Sequence, residues 1–181
     1  FKPKSTCHRI ESPGTPTNGF EMSTIYMIRH GQASFGQENY DQLSPTGYRQ
    51  ARLVAQHLAK VGINFDAVYT GNLVRQKQTF EAMADVYATM EDTLPEPVMT
   101  PDLDEYDSTG VWQHFYPILV AENPNLKLDE VRLAEEPKAF QTTFGHIVQR
   151  WLNTPDTPGL ESWQDFRARI DNGLNRIMKK E

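Results

Sequence analysis

Apolar and polar positions along the chain follow two rhythms. Residues 24–28 form an unbroken run of β-branched, aromatic and aliphatic side chains, which predicts a short strand buried on both faces. It runs straight into Arg29-His30-Gly31. Residues 65–70 repeat the pattern and end at Gly71-Asn72, a second predicted strand. Residues 97–100 are a weaker third, fenced by prolines and so expected at a sheet edge. Between and after these, apolar positions recur at threes and fours. Ser44-Pro45 opens a predicted helix, since Ser caps well and Pro suits the first helical position. Val54, Leu58 and Val61 share its expected buried face, and Gly62 stops it. A second helix is expected over about 73–90, with Arg75 in its first turn. Helical stretches over 111–121 and 137–152 follow. A third opens at Ser162-Trp163-Gln164-Asp165, which reads as a capping box. Strand, helix, strand, helix is the order of an α/β fold, a mostly parallel sheet flanked by helices.

Residues 1–22 are rich in Pro, Ser, Thr and Gly without apolar period, and are expected to be a flexible extension. Residues 23–181 read as one domain carrying a helical insertion at about 108–157. The aromatics of the late helices read as core. His57, His114 and His146 lie in helical patterns and read as structural or surface residues.

Hydrophobic residues make up 38% of the 181 and charged residues 23%, the range of folded domains. The net charge of −6 argues against nucleic acid as a partner, because binding a phosphate backbone needs a basic surface. It leaves room for a small anion held by local arginines. Cys7 is the single cysteine, so no intramolecular disulfide forms; that fits a reducing compartment. No stretch reaches the roughly 20 apolar residues of a membrane span, and the N-terminus lacks a secretory core. The expectation is a cytoplasmic protein with no membrane partner. Cys7 with His8 falls short of a four-ligand metal set, and no metal or cofactor is expected.

The chemistry-bearing residues sit at predicted strand ends, where open α/β sheets place ligands. His30 offers a nucleophilic or basic nitrogen, Arg29 a fixed cation, and Gly31 lets backbone approach closely. Arg75 brings a second guanidinium at the next strand end. Asp102, Asp104, Glu105 and Asp107 crowd the segment after the third strand. They read either as a solvated acidic loop or as the source of one general acid.

Arg29-His30-Gly31, then Leu43-Ser44-Pro45-Thr46-Gly47 with Gln50-Ala51, resembles the histidine phosphatase superfamily, which includes phosphoglycerate mutases. Tyr69-Thr70-Gly71-Asn72-Leu73-Val74-Arg75 is similar to its second signature. Leu103-Asp104-Glu105 is similar to its acid segment, and Gly159-Leu160-Glu161-Ser162 to the start of its late helix. The resemblance implies a phosphoglycerate mutase-like three-layer fold and a phosphorylated small-molecule substrate. It implies phosphomonoester hydrolysis with His30 as the nucleophile and Glu105 as the acid. Arg29 and Arg75 would hold the phosphoryl oxygens, with Gln32 and Ser34 as further phosphate contacts. Two planar guanidiniums suit a transferring phosphoryl group. Burial and the nearby Asp104 and Asp107 are expected to keep Glu105 protonated.

The sequence departs from the family pattern in two ways. Gln-Ala-Ser-Phe-Gly follows Gly31 where the mutases carry Glu-Ser-x-x-Asn. A second family histidine, on a later strand, has no counterpart among His57, His114 and His146. The expectation is therefore a chain lacking its C-terminal strands, with 24–28 short of a neighbour. Low stability or oligomerisation and weak catalysis would follow. The alternatives to a phosphatase are a catalytically weak or inactive phospho-ligand binder and, third, a phosphoglycerate mutase.

Overall fold

A computed structural model describes residues 23–34, 40–136 and 138–179. The expected flexible extension, residues 1–22, lies outside them. The order of elements is α1 (Pro45–Lys60), β1 (Val68–Thr70), α2 (Val74–Thr89), β2 (Pro97–Met99), a 3-10 turn (Pro101–Leu103), and α3 (Ser108–Glu122). After a second 3-10 turn (Pro124–Leu126) come α4 (Glu130–Glu135), α5 (Ala139–Leu152) and α6 (Trp163–Lys179). The fold is a helix-rich α/β one. Among the described residues β1 and β2 make a two-stranded parallel sheet, with Val68 opposite Pro97 and Thr70 opposite Met99. The crossover between them is α2, as parallel pairing requires. No helix of the described residues is long and apolar enough to cross a membrane.

The expected first strand did not form. Residues 24–28 carry no strand assignment and lie exposed, Met27 at 80%. A strand exists only through its ladder, and among the described residues none pairs with this run. The Tyr26 ring stands edge-on to Phe65 at 5.7 Å. The second strand is shorter than expected; the third pairs with it alone among the described residues, so both are edges of this sheet.

Helix α1 starts where the sequence placed it. The Ser44 hydroxyl accepts from the Gly47 amide at 3.1 Å, and Gly62, at φ 77°, follows the helix end. Its buried face is rotated from the expected one, however. Ala51, Ala55 and Leu58 are buried, while Val54 and Val61 face solvent. Small side chains win because α1 lies along α2, against Ala82, Met83, Val86 and Tyr87, and alanines let the two helices approach.

A second cluster joins Val111, Phe115 and Leu119 of α3 to Ile147 and Trp151 of α5, with Tyr106, Trp163 and Phe166 against it. The Trp151 indole donates to the Glu161 carbonyl at 2.9 Å, so its one polar atom is satisfied. At the start of α6 the Ser162 hydroxyl accepts from the Asp165 amide at 3.1 Å and donates to its carboxylate at 2.7 Å. Asp165 thus stands where a capping box carries Glu. His57, His114 and His146 are all exposed; the last two sit beside the second cluster rather than in it.

Candidate active site

Three side chains on the first turns of α2, Arg75, Gln78 and Thr79, organise the loop that bears His30, and a fourth, Gln76, ties down the segment after β2. The Gln78 amide oxygen accepts from the Leu43 amide at 2.8 Å, and the Thr79 hydroxyl accepts from the Gly31 amide at 3.2 Å. The Gln76 side chain accepts from the Leu73 amide at 3.2 Å and donates to the Leu103 carbonyl at 2.7 Å. Arg75, 8% exposed, donates from Nε to His30 Nε2 at 3.3 Å. On the other side, Gln50 of α1 accepts from the Gln32 amide at 2.8 Å.

The imidazole of His30 is fixed by both nitrogens. Nδ1 lies 2.7 Å from the Gly31 carbonyl oxygen, which can only accept. Nε2 faces a guanidinium N–H, which can only donate. The ring is therefore the neutral tautomer with its proton on Nδ1 and its free lone pair on Nε2, pointing at Arg75. Arg29 is exposed and lines an open cleft of about 270 Å³ with His30, Gly31, Gln50 and Val54.

The first N–H groups of α2 need an acceptor, because Leu73 at the N-cap has no side-chain oxygen. Asp41 supplies it from the loop before α1. Its carboxylate accepts from the Val74 amide at 2.9 Å and from Arg75 Nη1 at 2.7 Å. One residue thus caps the helix and holds the cation that faces His30. Sequence reading passed over Asp41; the apolar N-cap of a confident helix was the signal that could have found it. The Arg75 guanidinium also lies 5.9 Å from the Tyr40 ring centre.

Glu105 stands apart from this cluster. It is exposed, outside the cleft lining, and its carboxylate accepts from the Tyr106 amide at 3.2 Å. The burial expected for it is not found. Nor are its neighbours free to act on it alone: Asp104 accepts from the Asn72 amide and side chain, and Asp107 caps α3 through the Gly110 amide. Tyr106 links the two regions. Its phenol is held above the usual range by burial first, then by the charges of Glu105 and Tyr40. Gln32 is exposed, its side-chain oxygen accepting from the Ser44 hydroxyl at 3.0 Å. Ser34 is half-buried, its amide donating to the Gln42 carbonyl at 2.8 Å.

The sequence profile of the histidine phosphatase superfamily (branch 1) matches residues 25–132. The chain belongs to that superfamily. The match spans the His30 loop, the first turns of α2 and the acid segment, so this superfamily member carries all three described regions in one matched stretch. It is similar to a 2,3-bisphosphoglycerate-dependent phosphoglycerate mutase of Rhizobium etli, 29% identical over 157 residues, covering 82% of this chain and 64% of the relative. A mutase of the same description from Rhizobium johnstonii is 28% identical over 153 residues, covering 81% and 63%. An uncharacterized protein of Picosynechococcus sp. is 33% identical over 64 residues, 33% of this chain and 39% of that one. The chain spans about 64% of the length of the first of these curated relatives.

Proposed function

We propose that this superfamily member hydrolyses phosphomonoesters of small molecules, in the cytoplasm, through a phosphohistidine on His30. The observation that carries the reading is the imidazole held with its Nε2 lone pair facing Arg75. A nucleophile that needs no deprotonation stands beside a cation suited to phosphoryl oxygens. In the first step Nε2 attacks phosphorus, the P–O ester bond breaks, and the leaving oxygen takes a proton from Glu105. In the second step water attacks phosphorus, its proton passes to the Glu105 carboxylate, and the P–N bond breaks to release phosphate and restore His30. Arg29 and Arg75 hold the equatorial oxygens, where charge is greatest. Gln32 and Ser34, on the same loop as His30, are assigned further polar contacts to the phosphoryl group.

The test is hydrolysis of p-nitrophenyl phosphate by the chain and by His30→Ala, with radiolabelled phosphate trapped on the protein. The expected result is an acid-labile, base-stable label on the parent chain and none on the variant. Equal rates for the two proteins would refute the reading and leave the phospho-ligand binder in its place.

A mutase reading is favoured by the Rhizobium relatives, which are named phosphoglycerate mutases. Labelled protein mixed with a phosphoglycerate separates the two readings. Label moving to water supports the phosphatase; label moving to the added phosphoglycerate supports the mutase.

A further inference from the structure

Arg169 of α6 makes a set of contacts that an isolated surface ion pair does not explain. Its Nε and Nη2 donate to the two carboxylate oxygens of Glu161 at 2.7 and 2.9 Å. Its Nη1 donates to the carbonyls of Pro101 and Asp104 at 2.6 and 3.0 Å. The Phe166 ring lies 5.2 Å from the guanidinium carbon. Four of five N–H donors are thus committed, and two of them go to backbone on both sides of one 3-10 turn. The Asp104 carbonyl belongs to the peptide group that leads into Glu105.

The same segment is held from the opposite side. The Asp104 carboxylate accepts from Asn72 at the β1–α2 turn, and the Leu103 carbonyl accepts from Gln76. Residue 104 is therefore fixed by its carboxylate to the α2 side and by its carbonyl to α6. Glu161 in turn orients Arg169 as a bidentate partner, with both side chains largely shielded, 21% and 28% exposed. The hydrogen bonds that Arg169 donates to Glu161 push it above its already high range, so the charge is constant at working pH.

We propose that Arg169, oriented by Glu161, is a positioning residue for leaving-group protonation: it fixes the backbone from which Glu105 reaches the ester oxygen. This rests on the phosphomonoesterase reading above. The Glu105 side chain is exposed, its carboxylate accepting from the Tyr106 amide, while the backbone behind it is held on two sides. Loss of the anchor removes proton donation and leaves attack by His30 untouched.

Leaving-group basicity separates that role from a merely structural one. Nitrophenolate leaves without help; an alkoxide needs the proton. Arg169→Lys, Arg169→Ala and Glu161→Gln are assayed on p-nitrophenyl phosphate and on an alkyl phosphate, beside Glu105→Gln. For Arg169→Ala the expected kcat/KM, which reports the leaving-group step and not the shared hydrolysis of the phosphohistidine, falls about 30-fold or more on the alkyl ester and about threefold or less on the aryl ester, in proportion to a general acid's usual contribution. Arg169→Lys and Glu161→Gln, which leave more of the contact set in place, should show the same selectivity at smaller size. Combining Arg169→Ala with Glu105→Gln should add little to Glu105→Gln alone, because both remove one function. If Glu105→Gln is selective and the Arg169 variants lose both substrates equally, the positioning role is refuted and the phosphatase reading survives. If Glu105→Gln shows no selectivity, or His30→Ala retains full activity, the reading beneath it has failed instead.

Discussion

Replacing Gly47 by alanine should damage this protein, against the usual benefit of putting alanine in a helix. Gly47 lies in the first turn of α1, where the exchange ordinarily gains up to about 1 kcal/mol. Here the helix turn and the His30 loop meet backbone to backbone. A Cβ on Gly47 would stand 2.2 Å from the Gln32 carbonyl oxygen and 2.9 Å from its nitrogen. The facing residue is equally tight: a Cβ on Gly31 would stand 2.3 Å from the Gly47 oxygen. Ordinary contact begins at 3.4 Å, so the loop must retreat by about 1 Å, and no rotamer change can relieve a backbone clash. Overpacking of this kind costs about 1–3 kcal/mol, so the net effect is a loss of about 1–2 kcal/mol. For a chain of this size that lowers Tm by roughly 2–8 °C. The retreat also carries His30 off its line with Arg75, and a displacement of about 1 Å can cost about 100-fold in rate. Gly145 of α5 is the control, since nothing lies within 4 Å of a Cβ there; Gly145→Ala should raise Tm slightly and leave activity alone. Thermal melting and p-nitrophenyl phosphate turnover read both effects. A Gly47→Ala protein as stable and as active as the parent would show that the two glycines do not set the loop position.

Asp41→Ala should cost about 2 kcal/mol, because it removes a helix cap and leaves a nearly buried guanidinium unpaired. It should also weaken inhibition by inorganic phosphate, as Arg75 is no longer held at His30; an unchanged Tm with unchanged phosphate inhibition would contradict the clamp. Tyr87 and Tyr106 both titrate above the usual value of 10, chiefly through burial, with Asp92 adding to the first and Glu105 to the second. The fold favours their neutral forms, so the stability they lend is full below pH 10 and is lost as pH rises through their folded values. Tyrosinate absorbance should show these phenols lagging the exposed ones, with denaturant midpoints falling above pH 10. A single titration of all tyrosines at the ordinary value would refute this.

The helices were legible because their signals are local. Ser44-Pro45 and Ser162 with Asp165 name the starts of α1 and α6 from adjacent residues alone, and Gly62 marks where α1 must end. Arg75 was legible as a cation at a strand end for the same reason. What failed was whatever depends on a distant partner. An apolar run such as 24–28 becomes a strand only if another strand meets it, and the run itself says nothing of that. The stripe Ala51-Ala55-Leu58 displaced Val54 and Val61 because a second helix, not solvent, chose the face. Asp41 caps a helix 33 residues later in the chain, and Arg169 reaches back 65 residues to the Asp104 carbonyl. Neither spacing has a sequence signature. Glu105 was expected to be buried and is exposed, because its burial depends on how its segment is pinned by residues distant in the chain.

His30 and Glu105, the nucleophile and proton donor proposed above, lie beside different packed clusters, the first around Ala55 and Tyr87 and the second around Phe115 and Trp151. Among the described residues, the segment 101–104 between them is tied by hydrogen bonds from Asn72, Gln76 and Arg169. Charge takes part in these ties, and salt screens charge. Added salt is therefore expected to slow alkyl esters more than aryl esters while circular dichroism stays native.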